Sequence, residues 1–486
     1  MSDHRTAMTA GKRVLFAAAE IFPMAKTGGL GDVAAALPVA LRDAGTDIRL
    51  LMPAYPSALA VVRDVKLVRS LGDLQGCGPT DLLLGMTPDT SLPIYLVRNN
   101  RLFYRGGTPY HDPSGQLWQD NAQRFALLSA AAAALALEGD DGWRPQLVHA
   151  NDWHTALIPA LVTSQASPRS VLTIHNAAYQ ETLDAMQAER FGVAGVTRDL
   201  AGAAQSFLSI GIATANLLTT VSPTYALEIQ TPEFGYGLER LISKRAADLR
   251  GILNGIDVTV WNPASDVQLA ARYDKTDLTG KSECKQALLA EMRLSLEPAS
   301  PLIASVSRLT SQKGLDLLLD CLPQLLSSGV GFVLLGTGDP HLEASFAALA
   351  QRFPQSTAVR IAYDEALAHR IVAGADMFVM PSRFEPCGLN QMYSQRYGTV
   401  PIVHAVGGLA DTVADAASPQ GRPPTGFWVS ALSATGLAAA IDRAANSYRN
   451  RGAWSRLQRN GMNQDFSWAA SAREYLRVYE DAFRNG

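Results

Sequence analysis

The feature that most constrains the fold is a repeated alternation of short apolar runs with segments of helical periodicity. Helical patterns such as Asp32–Ala44 and Gln119–Leu137 separate the apolar runs of the first half. Those runs lie at Arg13–Ala19, Ile48–Met52, Ile94–Val97, Leu147–His149 and Val171–Ile174. Strands that alternate with helices in this way predict a parallel, doubly wound α/β sheet.

The same alternation restarts in the second half, after a turn-rich stretch at Gly251–Pro263 that predicts a hinge. A chain of 486 residues is too long for one ordinary core. We therefore expect two Rossmann-like lobes that face each other across a cleft. Open α/β sheets bind ligands beyond the carboxyl ends of their strands, so the cleft is the expected active site. The later strands are expected at Leu302–Ser305, Phe332–Leu335, Met377–Met380 and Ile402–Val403, and the later helices at Gly314–Leu326 and Pro340–Arg352.

Composition excludes several other classes of protein. Hydrophobic residues make up 47% of the chain and the formal net charge is −3, which favours a large packed core and argues against nucleic acid as a partner. The longest apolar stretch, Phe125–Leu137, falls short of the roughly 20 residues that span a bilayer. The four cysteines are far apart, so we expect no structural zinc site and a reducing, cytoplasmic location.

A glycine-rich loop, Lys26–Asp32, joins the first strand to the first helix. Glycines there let backbone N–H groups approach an anion, and the helix dipole adds to the attraction. Lys26 would add a formal positive charge. The loop is neither a Walker A motif nor GxGxxG, so a phosphate-binding loop and a tight turn with a solvated lysine both remain open.

Two cations, Arg308 and Lys313, stand five residues apart where a second-half strand leads into a helix. Positive charge near a helix N-terminus is unfavourable unless an anion is bound there. Arginine binds phosphate with two parallel hydrogen bonds, so the pair is suited to a diphosphate. Two solvated surface cations are the alternative.

A carboxylate, Glu385, follows the apolar strand Met377–Met380, which places it near the carboxyl end of a sheet strand. Gly388 begins the next helical stretch, where backbone N–H groups should point outward. Gly407-Gly408 offers a second cradle of this kind. We interpret Cys387 as a packing thiol, because no histidine close in sequence would activate it.

Polar residues also follow two strands of the first half, in His149–His154 and at His175-Asn176. The spacing of His149, Asp152 and His154 does not form a metal site, because no second ligand cluster completes it. Carboxylate and imidazole groups are equally suited to binding a sugar. His149 is expected to have a structural role within the sheet.

Taken together, these segments resemble the bacterial glycogen synthase and plant starch synthase family. The match covers nearly the whole chain, and its segments run in the family's order. The matching segments are KTGGLGDV (Lys26–Val33), HANDWHT (His149–Thr155), TIHN (Thr173–Asn176), TVSPTYALEI (Thr220–Ile229), EFGYGLE (Glu233–Glu239), GILNGID (Gly251–Asp257), SRLTSQKG (Ser307–Gly314), SRFEPCGL (Ser382–Leu389) and YGTVPIV (Tyr397–Val403).

The resemblance implies two Rossmann-like lobes of the GT-B type. The acceptor lobe would comprise residues 1–255 and a terminal helix at about 466–486, and the nucleotide-sugar lobe residues 256–465. The implied activity is a retaining transfer of glucose from ADP-glucose to the non-reducing end of an α-1,4-glucan, without a metal or other cofactor. Neither nucleic acid nor a membrane is an expected partner, and the sequence does not indicate an oligomeric state.

The resemblance also implies residue roles. Arg308 and Lys313 would contact the diphosphate, and Glu385 would lie beside the transferred glucose. The backbone carbonyl of His175 could stabilise the sugar cation, and Asp152 would contact the acceptor. The residues expected at the donor are Lys26, Gly28, Gly29, Asn254, Tyr363 (stacked on adenine), Cys387, Gly388, Leu389, Asn390, Gly407 and Gly408.

Three positions depart from the family pattern: Asn390 and Val406 replace a usual threonine, and His404 a usual arginine. These residues flank the expected phosphate cradle, so donor preference stays open. The alternatives are a related transferase with UDP-glucose or with maltose phosphate, and a catalytically weak glucan-binding paralogue. Front-face attack, in which a donor phosphate oxygen takes the acceptor proton, and a covalent route through a carboxylate nucleophile also both remain open.

Overall fold

The computed structural model describes residues 11–163, 168–200, 205–417 and 421–484. The strands are β1 (Arg13–Ala17), β2 (Asp47–Pro53), β3 (Arg63–Asp73), β4 (Pro79–Met86), β5 (Pro93–Arg98), β6 (Leu147–Asn151), β7 (Arg169–Ile174), β8 (Leu217–Thr220), β9 (Leu249–Gly251), β10 (Leu302–Val306), β11 (Gly331–Gly336), β12 (Thr357–Ile361), β13 (Met377–Met380), β14 (Val400–His404) and β15 (Phe427–Val429).

Helices connect most of these strands, and short 3₁₀ helices lie at Leu74–Gly76, Trp153–Thr155, Ala246–Asp248 and Ser311–Lys313. The α-helices are α1 (Gly29–Asp43), α2 (Pro56–Val61), α3 (Asn121–Glu138), α4 (Ile158–Leu161), α5 (Ala185–Arg190), α6 (Ala194–Asp199), α7 (Phe207–Thr214), α8 (Pro223–Glu228), α9 (Glu239–Lys244), α10 (Thr279–Glu291), α11 (Leu315–Ser327), α12 (Pro340–Arg352), α13 (Glu365–Gly374), α14 (Asn390–Arg396), α15 (Gly407–Thr412), α16 (Ala434–Arg449), α17 (Arg451–Met462) and α18 (Trp468–Arg484).

The chain divides into two compact units, and each is an α/β domain built on its own sheet. The first unit comprises Met1–Gly255 and Trp468–Gly486, and the second comprises Ile256–Ser467. The chain thus enters the second unit after Gly255 and returns to the first at the start of α18. None of the helices in the described part of the chain is long and apolar enough to cross a bilayer.

The sheet of the first unit has nine strands in the order β3-β4-β5-β2-β1-β6-β7-β8-β9. From β5 to the β9 edge, each strand pairs in parallel with its neighbour in this order, as the alternating sequence pattern predicts. Strands β3 and β4 form an antiparallel edge that the pattern did not predict. Because β3 is largely exposed and carries charged residues, it has no apolar run that would mark it as a strand.

The sheet of the second unit has six strands, all parallel, in the order β12-β11-β10-β13-β14-β15. Apolar side chains on successive residues of a strand point to opposite faces. Ile303 and Phe332 accordingly belong to one buried cluster, while Leu302 and Val333 belong to another. A sheet that is apolar on both faces must be covered by helices on both, which explains the near-continuous apolar runs of these strands.

In the parallel part of each sheet the strand order reverses direction at one point. In the first unit, β2 lies on one side of β1 and β6 on the other. In the second unit, β11 and β13 flank β10 in the same way. The loops that follow the two central strands separate there, and ligands bind in the resulting crevice at the carboxyl edge. The residues that follow β1, β6, β10 and β13 therefore lie where ligands are expected to bind.

Candidate active site

The glycine loop after β1 is held by a buried carboxylate, Glu20, which is 2% exposed. The backbone N–H and hydroxyl of Thr27 both donate to this carboxylate, the hydroxyl at 2.6 Å. The Gly28 N–H donates to Oε2 at 3.3 Å, and the Tyr110 hydroxyl donates to Oε1. Glu20 was not among the residues predicted for the site, although its position directly after an apolar strand could have identified it.

Helix α1 begins at Gly29, earlier than predicted, so the glycine loop runs directly into its first turn. A Cβ at Gly28 or Gly29 would meet nothing within 4 Å, so open space adjoins the helix N-terminus. Lys26 lies beside this turn with its ammonium 2.7 Å from the Asp32 carboxylate. Both side chains of this ion pair are about one-third exposed, so solvent screens it and Lys26 is accessible to an anion.

Asp152 follows β6 with a φ of 61°, a conformation that non-glycine residues seldom adopt. Its side chain is buried, and burial raises the pKa of the carboxyl to about 7, although backbone N–H groups of Trp153, Asn176 and His175 oppose the shift. Oδ1 has no hydrogen-bond partner among the described residues. A strained residue with an unsatisfied buried oxygen and a shifted pKa is typical of a functional site.

His175 follows β7, and its Nε2–H donates a hydrogen bond to Asn151 Oδ1 at 3.1 Å. Burial lowers its pKa to about 4, so the imidazole is neutral at pH 7. Because the backbone of His175 is close enough to the Asp152 carboxyl to lower its pKa, the structure brings these two predicted residues together. Asn254 follows β9 and is buried, and its side-chain oxygen has no partner in the described chain.

The structural role predicted for His149 is confirmed. Its ring lies inside the sheet, 2.6 Å from the Thr173 hydroxyl and 2.8 Å from the Tyr479 hydroxyl of α18. Burial lowers its pKa to about 3, which keeps it neutral. No cluster of three or more His, Cys, Asp or Glu side chains in the described residues is arranged to hold a metal ion.

In the second unit, the loop after β10 is fastened to the loop after β13. Gly314 has a φ of +65°, and a Cβ there would lie 2.0 Å from the Pro381 carbonyl oxygen. The Arg383 guanidinium donates two hydrogen bonds of 2.8 and 2.6 Å to the Asp316 carboxylate, and it also donates to the Ser311 carbonyl. Backbone and side chain of Gln312 add two further bonds to the same loop. These contacts fix the relative positions of the two loops.

The consequence is an ion pair between two predicted site residues that are 72 positions apart. The Lys313 ammonium lies 2.6 Å from Glu385 Oε2, and the Ser382 hydroxyl lies 3.0 Å from the same oxygen. Glu385 is 6% exposed. Its other oxygen, Oε1, has no hydrogen-bond partner within the described part of the chain. One face of this carboxylate is therefore available to a ligand.

Arg308 and Tyr363 are both exposed. Arg308 follows β10, and its guanidinium has no partner among the residues that the structure describes. Tyr363, which is 79% exposed, follows β12. Both side chains are therefore accessible to a ligand at this edge of the sheet.

The segment Cys387–Asn390 leads into α14, and Gly407 begins α15. A Cβ at Gly407 would lie 2.0 Å from the Glu385 carbonyl oxygen, and one at Gly408 would lie 2.1 Å from that of Cys387. The Gly408 N–H donates to the carbonyls of Glu385 and Pro386, so it is already engaged within the chain. The two glycines thus allow close packing behind Glu385.

Two of the three departures from the family pattern form contacts within the unit. The Asn390 amide donates to the Val306 carbonyl at 2.5 Å. His404 Nδ1 donates to the Ser382 carbonyl at 2.9 Å, which leaves Nε2 as an acceptor in the neutral ring. Neither side chain has the permanent positive charge that an arginine would have at position 404.

Comparisons with known proteins agree with this geometry. A family model described as the starch synthase catalytic domain matches residues 13–244, and one described as glycosyl transferases group 1 matches residues 292–461. The glycogen synthase of Paramagnetospirillum magneticum is 46% identical over 98% of both chains, and that of Dechloromonas aromatica is 47% identical over 96% of this chain and 98% of its own.

Among solved structures, the catalytic domain of starch synthase IV from Arabidopsis thaliana, bound to ADP and acarbose, matches with a TM-score of 0.85. It is 34% identical, and the match covers 98% of this chain and 100% of that one. Sucrose-phosphate synthase from Thermosynechococcus elongatus, at 19% identity and a TM-score of 0.61, shares the fold alone.

Two parallel-sheet α/β units with these matches define a glycosyltransferase of the GT-B type. The chain belongs to the bacterial glycogen synthase and starch synthase family. The resemblance inferred from the sequence motifs is thereby confirmed, as are the fold class and the enzyme class.

Proposed function

We propose that this enzyme transfers glucose from ADP-glucose to the non-reducing end of an α-1,4-glucan with retention of anomeric configuration, in the cytoplasm. The single observation that carries the proposal is the Lys313–Glu385 pair at the crossover point of the second sheet. The ADP and acarbose bound to the Arabidopsis relative support a nucleotide and a glucan as ligands. The wide spacing of the four cysteines supports the location.

In this proposal, Lys313 and Arg308 stabilise the negative charge that builds on the departing diphosphate. An ammonium that is placed in advance costs no reorganisation during the reaction, so it lowers the barrier directly. Before the donor binds, Glu385 neutralises Lys313. When the diphosphate binds, the ammonium is shared between the carboxylate and the phosphate, and Oε1 of Glu385 is left to contact the sugar.

The same pair favours front-face attack over a covalent intermediate on Glu385. Two donors, Lys313 and Ser382, occupy one carboxylate oxygen and withdraw electron density from the group. A donor phosphate oxygen then takes the acceptor proton, and the carbonyl of His175 stabilises the sugar cation. Donor contacts are assigned to Lys26, Gly28, Gly29, Asn254, Tyr363, Cys387, Gly388, Leu389, Asn390, Gly407 and Gly408, and acceptor contact to Asp152.

The test is nucleotide release from ADP-glucose and from UDP-glucose, each with and without glycogen. Glycogen-dependent release that prefers ADP-glucose supports the proposal and shows that Asn390 and His404 are compatible with this donor. Preference for UDP-glucose would correct the donor. No glycogen-dependent release from either donor, together with retention on glycogen, would favour a glucan-binding paralogue.

The site assignment is tested with Glu385→Gln, which keeps the shape of the side chain and removes its charge. We expect kcat to fall by about 100-fold or more, as for loss of a group that stabilises a transition state. Lys313→Ala should lose more activity than Lys313→Arg. The matched control is Glu291→Gln, which breaks an exposed ion pair with Arg370 in the same unit. Near-normal turnover of Glu385→Gln would refute the assignment.

A further inference from the structure

A short segment of the first unit, Thr220–Tyr225, holds the chain on both sides of His175. The segment runs from the end of β8 into α8 and begins the TVSPTYALEI motif. None of its residues is assigned above to the donor or the acceptor. Its contacts with the chain around His175 show what it contributes to the site.

The first contact is a side-chain hydrogen bond from β8 to β7. Thr220 is the register partner of Ile174 in the parallel pairing of these strands, and its hydroxyl donates to the Ile174 carbonyl at 2.7 Å. Both residues are fully buried, so water does not compete for this bond. It fixes the carbonyl that directly precedes His175, at the point where β7 ends.

The second contact comes from Tyr225, in the first turn of α8. Ser222 caps this helix by accepting a hydrogen bond from the Tyr225 N–H at 3.2 Å, and Pro223 occupies the first helical position. The Tyr225 hydroxyl accepts a hydrogen bond from the Ala177 N–H at 3.0 Å. Burial raises the pKa of this hydroxyl, which therefore stays protonated. The local helix start thus places the ring against the residue two positions after His175.

The start of α8 has little room to move. A Cβ at Gly251 of β9 would lie 2.3 Å from the Ser222 carbonyl oxygen and 2.5 Å from the Pro223 Cα. Backbone packed this closely against a strand resists displacement. Tyr225 is therefore held by a fixed element of the fold, as a residue that positions others must be.

Between the two anchored groups lies a carbonyl that is open to a ligand. The Ile174 carbonyl and the Ala177 N–H are both engaged, whereas the His175 carbonyl accepts no hydrogen bond from the described residues. The His175 ring is also fixed, because its Nε2–H donates to Asn151 Oδ1. A carbonyl dipole that is oriented in advance stabilises developing positive charge without reorganising during the reaction.

We propose that Thr220 and Tyr225 are positioning residues that hold the His175 carbonyl where positive charge develops on the transferred sugar. This inference rests on the proposed function, in which that carbonyl stabilises the sugar cation. A backbone carbonyl cannot be deleted by substitution, but the side chains that fix its position can be changed. A displacement of about 1 Å in such a group can lower the rate by about 100-fold.

The experiment is steady-state kinetics of the full chain with ADP-glucose as the donor and glycogen as the acceptor. Tyr225→Phe removes a hydroxyl and keeps the ring, and Thr220→Val removes a hydroxyl and keeps the shape. We expect each to lower kcat about tenfold or more and to change the KM for ADP-glucose by less than about twofold, because neither residue contacts the donor. The affinity for ADP, measured by titration calorimetry, should equal that of the wild type.

Two further variants separate positioning from loss of stability. Thr220→Ser keeps the hydroxyl and should recover most of the kcat that Thr220→Val loses. The matched control is Tyr273→Phe, in the second unit, where a buried tyrosine hydroxyl donates to the Tyr397 carbonyl at 2.9 Å. It also loses one buried hydrogen bond, so its melting temperature should fall to a similar extent while its kcat stays that of the wild type.

The outcomes distinguish this inference from the proposed function. Normal kcat in both Tyr225→Phe and Thr220→Val, beside an active wild type, would overturn the inference and leave the proposed function intact. Loss of ADP affinity in step with kcat would also overturn it, because the disturbance would then extend beyond the carbonyl. If the wild type prefers UDP-glucose, the same losses of kcat with that donor support the inference. A wild type without glycogen-dependent turnover of either donor would overturn both.

Discussion

Asp152 gives the sharpest test of the electrostatics at the first crossover point. Burial raises the pKa of its carboxyl from 3.8 to about 7. In that interval the folded chain binds a proton that the unfolded chain has released, so the stability of the wild type falls as pH rises from about 4 to about 7. One pKa unit corresponds to about 1.4 kcal/mol, so the full loss is about 4 kcal/mol. The side chain of Asp152→Asn does not titrate, so the variant does not lose this free energy of unfolding as pH rises.

The expected result is a difference between variant and wild type that grows with pH. Between pH 5 and pH 8, the free energy of unfolding of Asp152→Asn should rise relative to wild type by about 2–3 kcal/mol. Urea unfolding followed by tryptophan fluorescence at several pH values measures it. Any constant effect of the amide on packing cancels in this comparison.

The control is Asp112→Asn. The Asp112 carboxylate is exposed, and the hydroxyl and backbone N–H groups around it lower its pKa, so its proton is released below the range examined. Its difference from wild type should stay flat from pH 5 to pH 8. A flat difference for Asp152→Asn as well would show that burial does not hold the carboxyl protonated, and the reasoning would be refuted.

Two further predictions concern Gly407 and Arg383 of the second unit, and Gly28 of the first unit serves as a control. Gly407→Ala should lower the free energy of unfolding by about 3 kcal/mol or more, since its Cβ would lie 2.0 Å from the Glu385 carbonyl and its φ is +44°. Gly28→Ala, which faces open space, should change it by less than about 1 kcal/mol in the same urea titration. Arg383→Ala should lower kcat several-fold with little change in melting temperature, because it frees the loop that carries Glu385. Arg383→Lys should recover little of the lost activity, because lysine cannot form two parallel hydrogen bonds with Asp316. Equal kcat values for the wild type, Arg383→Ala and Arg383→Lys would contradict this prediction.

Local sequence patterns predict much of this fold. Helix α12 and strand β13 have the predicted bounds, and most other predicted elements shift by one to three residues. These elements are apolar on the side or sides that pack against a core, so their periodicity records their burial. The β3–β4 edge was missed because its residues face solvent on at least one side. Exposure removes the apolar signal on which the prediction depends.

The site is less accessible to local reasoning. Each residue of the Lys313–Glu385 pair could be selected from its own segment, but the pairing depends on β10 and β13 being neighbours, and no local pattern gives strand order. The same is true of the hydrogen bond that the Tyr110 hydroxyl donates to Glu20, because these two residues are 90 positions apart. Such contacts follow from topology, and topology from the packing of whole elements.

The two crossover points use a buried glutamate in different ways, and this difference separates a positioning residue from a substrate contact. In the first unit both oxygens of Glu20 are occupied, by Thr27 and Tyr110 on one and by Thr27 and Gly28 on the other. All its partners are neutral, so it shapes the loop and has no acceptor capacity left for a ligand. Glu385 has one oxygen engaged by a cation and the other unengaged within the described chain. A ligand that brings its own negative charge can draw Lys313 toward itself, and the released carboxylate can then bond to sugar hydroxyls. We therefore expect Glu385 to contact the substrate. We expect Glu20 to act indirectly, by holding the glycine loop that positions Lys26.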